Sequence, residues 1–259
     1  MKTMYKPDYR LLVVFDQSAE AFTALQNAID LAKTINGAID VLYINAWSNI
    51  FKTENQVALL RGLKETQQTV EIKIKKLIDG ISEIEDLTLI YSYVDGHVIE
   101  ETQKHIETTD PDIVVMGRRK KKFSNYFDTR NINQLRKNYG GLLLLSGEKK
   151  NSGDNQSLKL GFLDEKEVVS ASSLIQTLIK KAKPTLNIFT IFNKRRVSVE
   201  TKSKMVFYEF DKNEIVDSTI SNYIDNNKID LLCVNWNFTE QTLAQKIITK
   251  TETPILITN

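Results

Sequence analysis

The feature that most constrains this chain is a pattern written twice. "RLLVVFD" ends at Asp16 and "LKLGFLD" ends at Asp164. Each is a short apolar run closed by an acid, which reads as a buried strand. A second strand begins 22 residues after each aspartate, "AIDVLYI" at Ala38 and "LNIFTIF" at Leu186. The halves are therefore offset by 148 residues at both points. The offset falls to 118 where "DIVVM" matches "DLLCV", and to 113 where "LLLL" matches "ILIT". Two deletions account for the drop. About thirty residues are missing between strands two and three, and five after strand four. Self-similarity of this length points to two copies of one design rather than one continuous domain.

Between the strands the spacing turns helical. After Ser18, which suits an N-cap, Phe22, Leu25, Ile29, Ala32 and Ile35 recur at helical intervals, and Gly37 stands where a helix stops. Residues 54–80 form a long amphipathic segment with Val70, Ile74, Leu77, Ile78 and Ile81 on one stripe. Residues 98–108 read as a helix with Ile99 and Ile106 inward, and "INQLRKN" as a short one. "LTLIYSYVD", "DIVVMG" and "GGLLLLSG" supply the remaining strands of the first half. Strands alternating with helices predict an α/β fold with a parallel sheet covered on both faces. The expectation is two tandem five-stranded domains, residues 8–148 and 158–259, joined by a polar linker over 149–157. The last strand of each half is short and strongly apolar, and a free edge needs covering. Domain 1 is therefore expected to pair with domain 2 there as an intramolecular pseudo-dimer about a two-fold axis, each keeping its own sheet. The second domain lacks the long helix and has a marginal core.

Composition narrows the function classes. The formal net charge of +2 gives no whole-chain reason to expect nucleic acid. The distribution is uneven, however: from Arg118 to Lys150 ten Lys and Arg stand against Asp128 and Glu148. Cys233 is the only cysteine and sits in an apolar run, so it reads as a buried thiol. The only histidines, His97 and His105, show no metal-ligand spacing and read as solvent-side helix residues. The first ten residues lack the apolar stretch of a signal peptide, and no run approaches the ~20 apolar residues of a membrane span. These features predict a cytoplasmic protein.

The stretch "VDGHVIEETQKHIETTDPDIVVMG", with the aspartate closing "LLVVFD" and the final "TPILIT", resembles the universal stress protein family. The resemblance is strong for the first half and weak for the second. It implies a Rossmann-like fold of the adenine nucleotide alpha-hydrolase type, and it makes Asp16, Ile44, Met116 and Gly117 candidate nucleotide-binding residues. In nucleotide-binding members the loop after strand four reads G-x-x-G, nine residues, then G and Ser or Thr. Here Gly117 matches the first position, Lys120 stands at the second, and neither register supplies the remaining glycines. Glycine lets backbone N–H groups close on a phosphate, and its loss removes that cradle. In the second half Asn235 replaces the first glycine, and the loop is too short to hold the motif.

Individual residues leave alternatives open. Asp16 is either a contact to a nucleotide base or a helix cap facing the dipole. Ile44 and Met116 are equally suited to the core. Asp95 ends strand three as in a phosphoacceptor domain, but strand one ends in a single acid, so no metal pair is available. The run Arg118, Arg119, Lys120, Lys121, Lys122 reads as a solvated loop offering anion contacts. With Phe123, Tyr126 and Phe127 it also has the make-up of a nucleic-acid patch. Trp47 and Trp236 read as rim or interface packing. The expected function is a non-catalytic stress-response binding or signalling module with no cofactor, ATP being disfavoured, and with a protein partner. The alternatives are slow ATP hydrolysis in domain 1, or an electrostatic scaffold that binds an acidic partner through residues 118–122.

Overall fold

The computed structural model describes residues 6–45, 56–118, 129–136, 139–147, 158–169, 171–191, 203–211, 213, 215–237 and 241–258. Half one runs β1 (Tyr9–Phe15), α1 (Ala19–Ile35), β2 (Gly37–Asn45), α2 (Gln56–Glu85), β3 (Leu89–Asp95), α3 (Val98–Thr109), β4 (Ile113–Gly117), α4 (Thr129–Arg136) and β5 (Leu142–Ser146). Half two runs β6 (Leu160–Phe162), α5 (Lys166–Val169), α6 (Ser173–Lys181), β7 (Thr185–Ile191), β8 (Lys204–Phe210), α7 (Val216–Asn226), β9 (Leu231–Asn235), α8 (Gln241–Lys250) and β10 (Ile255–Thr258). The order across the sheet is β3-β2-β1-β4-β5-β10-β9-β6-β7-β8. Each half thus repeats one doubly wound order.

The halves meet where β10 runs antiparallel to β5, with Leu256 opposite Leu144. Antiparallel pairing of equivalent strands is what a two-fold between the halves produces. It also extends the hydrogen-bond ladder without a break. The expectation that each half keeps its own sheet is therefore corrected: among the described residues the ten strands form one sheet, with β3 and β8 at its edges. Two apolar layers run the length of that sheet. One lies under α1, α2, α5 and α6, the other under α3, α4, α7 and α8, and each contains residues of both halves.

Register corrects the repeat. Val13 stands opposite Val41, and Phe162 opposite Ile188. Leu11 and Val13 share their layer with Leu160 and Phe162, so the first strands match at an offset of 149. The second strands match at 147, the fourth at 118, and the last at 112, because Gly117 stands opposite Ser146 and Asn235 opposite Thr258. The expected 148 and 113 were each wrong by one residue. A one-residue slip turns every side chain to the other face of a sheet.

Local chemistry explains the elements that flank the crevice. Ser18 caps α1 by accepting from the Ala21 amide, and Asn36 rather than Gly37 takes the left-handed position that ends the helix. Phe22, expected inside, is exposed and packs edge-on against Phe15 at 4.9 Å between centroids. In α2, Ile74 and Ile78 are buried while Leu77, expected on the same stripe, is exposed.

Candidate functional site

In an open α/β sheet a ligand docks at the carboxyl ends of the strands, where the order reverses. In half one that crevice lies between β1 and β4. Asp16 closes β1, and its Oδ1 accepts from the Ser18 amide at 3.1 Å, folding the chain into a short turn. Gln17 takes the left-handed conformation at φ 63° and donates from its amide to the Tyr43 hydroxyl at 2.7 Å. The cap of α1 is Ser18, so Asp16 shapes the approach to the helix without capping it. Ile44 and Met116 are buried in the layer under α3 and α4. Gly117 ends β4 with its Cα against the first turn of α1. A Cβ there would come within 2.5 Å of the Glu20 carbonyl. Close approach of strand and helix is reason enough for a glycine at this place.

The next residue departs from the sequence reading. Arg118 was expected in a solvated cationic run, and that expectation is corrected: it is 6% exposed. Its backbone N–H donates to the Ser146 carbonyl at 3.1 Å. Its guanidinium crosses into half two, donating to the carbonyls of Ile248, of Thr251 at 2.8 Å and of Thr253 at 3.2 Å. Those carbonyls lie at and beyond the last turn of α8, where backbone acceptors run out of amide partners and the helix dipole is negative. Arg119, Lys120, Lys121 and Lys122 lie outside the described residues, as do Trp47, Phe123, Tyr126 and Phe127.

Half two answers with Trp236, which follows β9 as Arg118 follows β4. Its N–H donates to the Thr258 carbonyl at 3.1 Å. Its ring is buried and crosses the other way, donating from Nε1 to Asn133 Oδ1 on α4 at 3.0 Å, with the Arg136 guanidinium 5.8 Å from its centroid. Trp236 is thus an interface residue, as read from the sequence. Beside it the strand ends of half two are filled by acids. Asp164 repeats the turn of Asp16, accepting from the Lys166 amide at 3.0 Å. The Glu167 carboxylate accepts from the Asn235 amide at the tip of β9. Asp164, Glu165 and Glu167 are all buried.

Sequence reasoning missed a polar cluster at the ends of β2 and β3. Asn45 donates to Asp95 Oδ1 at 2.7 Å and to the Tyr93 hydroxyl at 3.1 Å, and Tyr93 donates to the same carboxylate at 2.8 Å. Burial pushes the nearby Tyr43 hydroxyl up, so it stays protonated. His105, expected toward solvent, instead binds Asp40 on β2 through Nε2 at 2.7 Å and fastens α3 to the sheet. Cys233 is fully buried, and that burial, with the Glu167 charge second, pushes its thiol well above the ordinary value. Such a thiol is inert as a nucleophile. Among the described residues no group of three His, Cys, Asp or Glu stands ready to hold a metal ion. No helix among them is long and apolar enough to cross a membrane.

A doubly wound order repeated twice, with an aspartate turn after the first strand of each half, defines a tandem α/β protein of the Rossmann-like class. A model of the universal stress protein family matches residues 9–138, and the chain belongs to that family. Among solved structures, the chain is similar to a universal stress protein from Archaeoglobus fulgidus. The two are 11% identical, with 99% of this chain and 98% of that one covered and a TM-score of 0.71. It is also similar to a functionally unknown protein from Pseudomonas aeruginosa, at 11% identity, 96% and 92% coverage and a TM-score of 0.56. At such identities the likeness carries the fold alone. No curated protein matches the sequence.

Proposed function

We propose that this chain is a non-catalytic universal stress protein of the cytoplasm, a binding or signalling module whose half one no longer cradles ATP. The observation that carries the reading is the fate of Arg118. The residue that would open a phosphate loop is turned away from the crevice and committed to half two. The glycine before it is accounted for by the packing of α1. A nest is built from backbone amides, and the Arg118 amide is already given to the Ser146 carbonyl rather than to a triphosphate. In half two the Glu167 carboxylate already holds the Asn235 amide, and a phosphate brought there would meet a like charge. Half two is therefore proposed as a built-in partner without a nucleotide of its own.

Calorimetry with Mg-ATP on the full chain tests this. The expected result is weak binding, or none, that disappears as salt rises, because exposed charges are screened beyond ~8 Å at physiological ionic strength. Micromolar, stoichiometric binding that survives high salt would return the chain to the ATP-binding members and overturn the reading.

A further inference from the structure

We infer that the end of α8 is a guanidinium receptor, and that Arg118 filling it is the key that fixes half one against half two. The inference does not depend on whether a nucleotide binds.

The receptor is held together by bonds of half two that do not involve the key. Asp225, in the last turn of α7, accepts from Thr251 Oγ1 at 2.6 Å, from Thr253 Oγ1 at 3.1 Å and from the Glu252 amide at 3.2 Å. The Thr253 amide donates to Thr251 Oγ1 at 3.2 Å. Every one of these bonds uses a side chain or an N–H of the turn. The carbonyls of Thr251 and Thr253 take no part in these bonds and, beside that of Ile248, accept from Arg118. With Arg118 in place Thr251 and Thr253 are fully buried, so in the folded chain the guanidinium and not water serves those oxygens.

The chemistry of the occupant follows from the acceptors. Two of the three oxygens share Nη2 and the third takes Nη1, which requires donors spread over a planar fork. Guanidinium has that geometry, whereas an ammonium is a point donor on a flexible stem. Its positive charge meets the negative end of α8, which offsets part of the cost of burying it. The wall opposite is shaved to fit. A Cβ on Gly147, which follows β5, would overlap the Glu252 carbonyl and stand 2.9 Å from Arg118 Nη2. Half one therefore supplies both the key and the clearance, and half two supplies the lock.

The test is chemical rescue in the full chain. Hydrogen exchange of the α8 end and β10 is measured in Arg118→Ala and Arg118→Lys, each with methylguanidinium or methylammonium at concentrations far below denaturing. Loss of the key should speed exchange there by about tenfold or more, the scale for losing charge-assisted bonds to buried acceptors. Lysine should not restore protection. Methylguanidinium should restore it saturably in the alanine variant, and methylammonium should not. Unchanged exchange in both variants, or equal rescue by the two cations, would overturn the inference. If the alanine variant does not fold, Asp225→Asn is combined with Arg118→Lys. The inference requires the two losses to be less than additive, because both act on one receptor. Simple additivity would reject it.

Discussion

Arg118 and Trp236 occupy one place in two copies of a fold, and they do the same job with opposite chemistry. Each follows the fourth strand of its half, hangs its amide on the last strand, and reaches over the axis to the other half's final helix. One brings a charge to backbone oxygens. The other brings an aromatic surface to an asparagine and an arginine. In a two-fold homodimer such a difference is impossible, because both sides of an isologous contact carry the same residue. Fusing the copies into one chain removes that condition. The fold then dictates where the residue reaches, and each side is free to choose how it holds on.

The contrast breaks most visibly at Trp236. Replacing it with alanine should cost about 4 kcal/mol, the range for emptying a buried aromatic site. Replacing it with phenylalanine should cost about 1 kcal/mol, the worth of its bond to Asn133. Urea melts of the two variants separate packing from hydrogen bonding. Equal losses would mean that the bond, and not the ring, is what matters.

Acid sharpens the comparison one layer out. The α7–α8 pair of half two is tied by Lys250 to Asp217 at 2.5 Å, while α3 and α4 of half one are tied by the neutral Gln103 and Gln134. The hydrogen bond from Lys250 holds the Asp217 carboxyl below its ordinary 3.8. Its stabilisation is therefore complete above pH 3.8 and lost as pH falls through the lower, folded value. Asp217→Asn should cost about 1 kcal/mol or less at neutral pH, because the lysine is half-exposed and screened. That cost should vanish in strong acid, read by denaturant midpoints across pH. Gln103→Ala should show no such dependence.

The smallest effect belongs to Asp30 on α1, a helix whose counterpart α6 carries no acid. Burial pushes the Asp30 carboxyl up, and its Oδ2 is buried without a partner. The ionised form is thus a cost above the folded pKa, and the cost disappears as pH falls through it. Asp30→Asn should leave stability unchanged at neutral pH or raise it by up to about 0.5 kcal/mol in the same melts. A clear loss would mean that its charge is used.

The architecture was legible in the sequence because alternation and repeat survive changes of residue. The register was not. "LLLL" reads the same one step either way, and only the layer in which Leu144 and Leu256 lie distinguishes an offset of 112 from 113. Burial of Arg118 was hidden for another reason. Its partners are carbonyl oxygens, which every residue carries, so no side chain in "IITKTETP" announces an acceptor. The feature that could have hinted at it is Asp225 with Thr251 and Thr253, polar residues that prove to be buried around one turn. The glycine at 117 was read through its family motif, when closeness of α1 already required it.

The distance in sequence between Arg118 and its acceptors has a consequence for biogenesis. The three carbonyls lie 130 to 135 residues further along the chain. At ribosomal speed that stretch takes on the order of ten seconds to synthesise. Throughout that interval a nascent half one has every strand it needs, yet β5 presents an open edge and the arginine beside it has nowhere to go. An edge of four leucines is a template for the wrong neighbour, including another nascent chain on the same message. The unhoused charge beside it opposes that pairing until the last turn of α8 leaves the tunnel.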